Sequence, residues 1–269
     1  MKKLDELGLE QRSILSRLPS VIIGVDITPS MASTAKDSGY TTLLDSLCID
    51  QPVIPSESDQ YQYRSDRYSE SKFEWNWRSH KESDSYRPLC DYLASLGLFP
   101  VDVSSGKYLT AGILFDVNLW SIRKYNAVGE RELIVYKGHV RGRTDIVLLN
   151  ESHRGGELSR HMLRFVIEVK DAAAMRDNPK GCVRESVTQL LGLCGDNCNN
   201  TPSVLLTDLT KTFFVVYLSK THEPALKFHI NIQACADLGS GVDLAQSVSK
   251  DCCSTDFGRP ATPSHSDDD

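Results

Sequence analysis

The chain has 269 residues, 40% of them hydrophobic, and a formal net charge of -6. It is long and apolar enough for one large core, and its acidic balance argues against global attraction to nucleic acid while leaving room for a local basic surface. The absence of a signal-peptide-like apolar stretch, of any run near the ~20 residues a membrane helix needs, and of a CxxC pair among eight cysteines points to a soluble protein with reduced thiols, cytoplasmic or nuclear.

Leu4, Leu7, Ile14, Leu15 and Leu18 recur at helical spacing and Pro19 closes the run, which predicts a helix over 3–18. "VIIGVDIT" then suits a buried strand. From Thr28 to Tyr86 the chain is rich in Ser, Asp, Tyr and Pro without a sustained period, and an irregular segment is expected. Trp75 and Trp77 within it suit either base stacking or else packing or disorder, the latter preferred because acids outnumber bases there. "YRPLCDYLASLGLF" returns to helical spacing, with Leu89, Tyr92, Leu93 and Leu96 on one stripe and Gly97 as a stop. Four strand-like runs follow, "AGILFDV", "ELIVY", "TDIVLLN" and "LRFVIEV". After the helix "CVRESVTQLLGLC" come two strands, "SVLLT" and "TFFVVYL", joined by a turn over Asp208, Leu209, Thr210 and Lys211, and an edge strand, "KFHINIQ". The polar segment from Asp237 is expected to be a disordered tail.

Charged residues interrupt two of the apolar runs. Alternation in "LRFVIEVK" sends Leu163, Phe165, Ile167 and Val169 to one face and Arg164, Val166, Glu168 and Lys170 to the other. Glu168 and Lys170 then stand about 6.6 Å apart along the strand. Asp145 breaks "TDIVLLN" in the same way, so if the two strands are neighbours a pair of carboxylates and an ammonium converge. Close carboxylates raise one another's pKa unless a cation lies between them, which makes such a cluster a natural site for Mg²⁺ or Mn²⁺. A lysine beside that ion can orient or deprotonate a water and stabilise charge on a phosphate, which suits phosphodiester hydrolysis. The plainer alternative is a structural salt bridge between Lys170 and Glu168.

On the following helix Val183, Val187, Leu190, Leu191 and Cys194 form an apolar stripe, with Glu185 and Gln189 as an i,i+4 pair opposite. Gln189 is then either on a solvated face or part of the site. Six Lys/Arg against three acids lie between Lys137 and Arg164. Arg141, Arg143, Arg154 and Arg160 are the candidates to hold phosphates. Cys182, Cys194 and Cys198, with His222 or Cys235, are too loosely spaced for a good zinc site. No GxxxxGK[ST] loop is present, which argues against an NTPase.

An Asp on one strand, then E-x-K on the next, then a helix bearing a glutamine, resembles the PD-(D/E)XK nuclease superfamily over roughly Glu82 to Leu218. "SSGKYLTAGILFDVN", "KGHVRGRTDIVLLN" and "VLLTDLTKTFFVVYL" look like the restriction-endonuclease-like C-terminal domains of crinkler effectors. The resemblance implies an α/β fold with a restriction-endonuclease-like α-β-β-β-α-β core, its mixed central sheet flanked by helices. It divides the chain into an N-terminal region over 1–81, a nuclease-like domain over 82–236 and a tail over 237–269. It also implies that Asp145, Glu168 and the carbonyl of Val169 ligate Mg²⁺ or Mn²⁺, and that Lys170 is the catalytic lysine. Glu82, or failing it Glu70, supplies the acid from the preceding helix, and Gln189 joins from the following one. The chain departs from the pattern at "TD" in place of "PD", at Leu193 where one subgroup has an aromatic, and in lacking the crinkler LFLAK-type header. The expectation is a metal-dependent nuclease acting on DNA or RNA, as a monomer or homodimer, in the host nucleus if crinkler-like. The competing expectation is an inactive nuclease-fold module that binds nucleic acid or a host protein.

Overall fold

The computed structural model describes residues 21–34, 38–47, 49–55, 62–68, 73, 75–96, 114–127, 130–149, 163–195, 202–221 and 227–251. The helix expected over 3–18 lies outside them. Strand β1 (Val21–Ile27) is followed by helices α1 (Pro29–Ala32) and α2 (Ser38–Leu47), and, after a 3₁₀ turn at Trp77–Ser79, by α3 (Glu82–Ser95). Then come β2 (Leu114–Ala127), β3 (Glu130–Arg143), β4 (Ile146–Leu149), β5 (Leu163–Val169), α4 (Ala172–Asp177), α5 (Pro179–Gly195), β6 (Ser203–Thr207), β7 (Phe213–Thr221), β8 (Lys227–Ala234) and α6 (Leu238–Asp251). Among the described residues, no helix is long and apolar enough to cross a membrane.

The strands form two sheets. One has the order β1-β3-β2, with β1 parallel and β2 antiparallel to β3; the other is a five-stranded mixed sheet in the order β4-β5-β6-β7-β8. Within the second, β5 and β6 are parallel and the remaining pairs antiparallel. Parallel neighbours need a crossover, and α5 supplies it. Only Thr144 and Asp145 separate β3 from β4, so Asp145 stands where one sheet passes into the other.

Both faces of the five-stranded sheet are covered, which explains why its central strands are apolar almost throughout. Val166, Val204, Leu206, Val216 and Leu218 face α5 and share one core with Tyr40, Leu43 and Leu44 of α2. Phe165, Ile167, Val169, Leu205 and Val215 face the other way, onto Leu89 and Leu93 of α3 and Leu238, Val242 and Ala245 of α6. Full burial of each such side chain contributes about 1.5–3 kcal/mol.

Three expectations are corrected here. The stretch from Thr28 to Tyr86 is not wholly irregular. Thr28 caps α1 by accepting from the N–H of Met31 at 3.3 Å, ahead of Pro29 at the first helical position. In α2, Tyr40, Leu43, Leu44 and Leu47 form a helical stripe that intervening Ser, Thr and Gly obscure. Second, α3 begins at Glu82, ahead of the expected apolar run. The Lys81 N–H donates to Asp84 at 2.8 Å there, and Pro88 is tolerated inside the helix. Third, 238–251 is a helix rather than part of a disordered tail, because Leu238, Val242 and Ala245 cover the sheet between small polar residues.

Trp75 and Trp77 pack at the edge of the second core, and the Trp77 indole donates to the carbonyl of Asp208 at 2.7 Å. Asp208 organises the β6–β7 turn, its Oδ1 accepting from the N–H groups of Thr210, Lys211 and Thr212 at 2.9, 2.8 and 2.8 Å. Leu209, beside it, is buried with a φ of 59°. Helices α1 and α5 approach closely at Gly181, where a Cβ would collide with the Ser33 carbonyl oxygen.

Candidate active site

The antiparallel register pairs Ile146 with Ile167, so one further step sets Asp145 beside Glu168. Asp145 Oδ2 accepts from the main-chain N–H of Val169 at 3.0 Å, which ties the joint between the sheets to the end of β5. Glu168 is only 2% exposed, beneath α5. Its two oxygens have different partners: Oε1 meets the Lys170 ammonium at 2.7 Å, and Oε2 accepts from Gln189 Nε2 at 2.6 Å. Lys170 Nζ also reaches Glu185 Oε1 at 3.2 Å. From α3, Glu82 Oε1 accepts the N–H of Asp171 at 3.1 Å, and the Tyr86 hydroxyl, one turn later, bonds to Asp145.

The five residues expected to carry the chemistry, Glu82, Asp145, Glu168, Lys170 and Gln189, therefore belong to one connected cluster. The solvated-face alternative for Gln189 fails, since it is 1% exposed and bonded to Glu168. The strand face bearing Glu168 is not an open polar surface, because α5 covers it. Glu185 and Tyr86 were not anticipated as site residues. Glu185 sits one helical turn before Gln189 on the same face, a spacing that could have identified it; nothing in the sequence singles out Tyr86.

Electrostatics follow from this crowding. Burial, then the Asp145 charge, pushes Glu168 up to about 8 even though Lys170 pulls the other way. For Lys170, burial disfavours the charged form, but Glu168, Glu185 and Glu82 together outweigh it and hold the amine above its ordinary value. In the ion-free site Lys170 is thereby held as an ammonium between Glu168 and Glu185. Burial also raises Glu82, against the pull of Lys170 and the Asp171 N–H. The Tyr86 phenol is raised by burial and by Asp145.

The donor types, carboxylate oxygens with a main-chain carbonyl at Val169, are those that a hard divalent cation takes. Among the described residues no three His, Cys, Asp or Glu side chains converge as a metal cage. An ion here would draw on Asp145, Glu168, the Val169 carbonyl and water. The thiols do not compete for it. Cys182 and Cys194 sit twelve residues apart on α5, about 18 Å along its axis, and burial raises the Cys182 thiol to about 11. Cys198 and His222 lie outside the described residues, as do Glu70, Arg154 and Arg160. Arg141 and Arg143 are exposed, with Arg141 Nε 3.8 Å from Asp26 Oδ1. No protein-family model matches the chain, and no curated protein matches it.

Proposed function

We propose that this protein is a metal-dependent hydrolase of nucleic-acid phosphodiesters, built on a restriction-endonuclease-like core. The observation that carries the reading is the single network joining Asp145, Glu168 and Lys170 to Glu82 before the sheet and Gln189 after it. The order α3-β2-β3/β4-β5-α5-β6, with β5 parallel to β6, supports the same fold assignment.

Asp145, Glu168 and the Val169 carbonyl would hold Mg²⁺ or Mn²⁺, which when bound polarises phosphate and acidifies water. Gln189 fixes the orientation of the Glu168 carboxylate. Lys170, kept protonated by its acidic neighbours, offers positive charge to a phosphate gaining negative charge in the transition state. Tyr86 fixes Asp145 through its hydroxyl, and Glu82 steadies the backbone turn after Lys170 through the Asp171 N–H.

The test is cleavage of labelled DNA and RNA with Mg²⁺ or Mn²⁺. Lys170→Ala, Glu168→Gln and Asp145→Asn are each expected to lower the rate by about 100-fold or more, the scale of losing one charge-stabilising group. Equal cleavage by the wild type and Lys170→Ala would refute the proposal. One observation favours the second reading, an inactive module that binds nucleic acid or a host protein: both Glu168 oxygens already have donors. Calorimetric titration with Mn²⁺ separates the two, because only a working site gives heat that depends on Asp145 and Glu168.

A further inference from the structure

Two clefts adjoin at the N-terminal end of α5, sharing Ile54 and Lys180. The larger, about 460 Å³, is lined by Arg176, Lys180 and Lys211; the smaller, about 320 Å³, by Lys180, Arg184 and Tyr40. Among the described residues neither has an Asp or Glu in its lining, although the chain carries a formal net charge of -6. Arg176 is paired with Asp177 at 2.9 Å, and Arg184 lies over the Tyr40 ring at 5.6 Å. Lys180 and Lys211 form no ion pair among the described residues. The Tyr40 hydroxyl is buried and has no hydrogen-bond partner. Cations gathered with few counter-charges repel one another, and a polyanion laid along them relieves that repulsion and releases its own counterions.

The position of this groove is informative. Lys211 belongs to the turn that follows β6, and the end of β6, at Thr207, accepts the main-chain N–H of Lys170 at 2.9 Å. The groove therefore starts at the carboxyl ends of the parallel strands β5 and β6, the edge that also carries the candidate active site, and ligands of α/β sheets bind at such an edge. From there Lys180 and Arg184, four residues apart, continue it along one side of α5.

We propose that the joined clefts hold the sugar–phosphate backbone of a nucleic-acid strand. This rests on the hydrolase reading for the strand's destination, but strand binding can be measured without any metal. The experiment is fluorescence anisotropy of a labelled oligodeoxynucleotide in a chelator, across a salt series, with the wild type and the double variant Lys180→Glu, Lys211→Glu. The variant is expected to bind at least ~10-fold more weakly, with the slope of log K against log salt reduced by about 1.4, or ~0.7 for each single-strand phosphate that the variant no longer neutralises. Unchanged affinity and slope would overturn the groove. Release of the strand by polyglutamate as readily as by unlabelled DNA would also overturn it, in favour of an acidic polypeptide. Should charge reversal disturb folding, seen by circular dichroism, Lys180→Gln with Lys211→Gln makes the same test with a smaller loss. Lysine-dependent binding by a protein that cleaves nothing keeps the groove and sinks the hydrolase, whereas cleavage with lysine-independent binding does the reverse.

Discussion

Glu168 and Asp243 are both carboxylates held between donors, yet folding moves them in opposite directions. Around Asp243, Tyr63 and Ser65 donate to Oδ2 at 2.9 and 2.6 Å and Arg67 stands 3.6 Å from Oδ1. Burial disfavours its charge, but these donors outweigh burial and hold it below the usual carboxylate range. Glu168 has an ammonium and an amide, better donors on paper, and still rises to about 8 because burial is deeper and Asp145 is close. One carboxylate is satisfied as an anion and clasps the segment around Ser65 to α6. The other is an anion the fold accommodates poorly, because burial outweighs the donors it has.

The largest effect should come from removing the amine that makes Glu168 tolerable. Lys170→Met leaves Glu168 and Glu185 without their cation and is expected to cost about 3–5 kcal/mol in urea denaturation at pH 8. The loss should shrink as pH falls below 8 and Glu168 takes up a proton, and a cost below about 1 kcal/mol at pH 8 would mean that the network is not coupled as described.

The pH arms of the two carboxylates should also separate. An acid raised by folding retains a proton in the native state that the unfolded chain releases, so the contribution of Glu168 is complete below the ordinary carboxyl range and is lost as pH climbs through about 8. Asp243, lowered by folding, contributes fully above its ordinary value and loses that contribution as pH falls through its depressed folded value. Melting curves against pH should show Glu168→Gln flattening the neutral arm alone and Asp243→Asn the acid arm alone. Interchange of the two would break the comparison. The smallest effects sit at the clasp. Ser65→Ala should cost about 1 kcal/mol for its hydrogen bond, and Arg67→Ala, whose side chain is 59% exposed, less than about 1 kcal/mol.

The central strands were legible in the sequence because they are short apolar runs punctuated by turn residues, and Asp145, Glu168 and Lys170 stood out as charges inside such runs. What could not be read was the cover. Strand alternation assigns Glu168 and Val166 to the same side but does not reveal that α5 lies over it, so the depth of the network could not be read. Helices α2 and α6 were hidden by the small polar residues that pad their apolar stripes, since a Ser- and Asp-rich composition suggests irregular chain until the partner surface is known. Tyr86 reaches Asp145 only because α3 starts early, at Glu82, and no local spacing encodes that meeting.

Leu209 shows how far packing can overrule local preference. A leucine with φ near 59° adopts a backbone that costs a side-chain-bearing residue roughly 1–2 kcal/mol, while sequestering that side chain returns about as much or more. Glycine would relieve the dihedral and empty the space, so neither residue is free of penalty. A peptide spanning only β6 to β7, without the aromatic edge around Trp77 to bury Leu209, should therefore populate this turn less than the whole protein does.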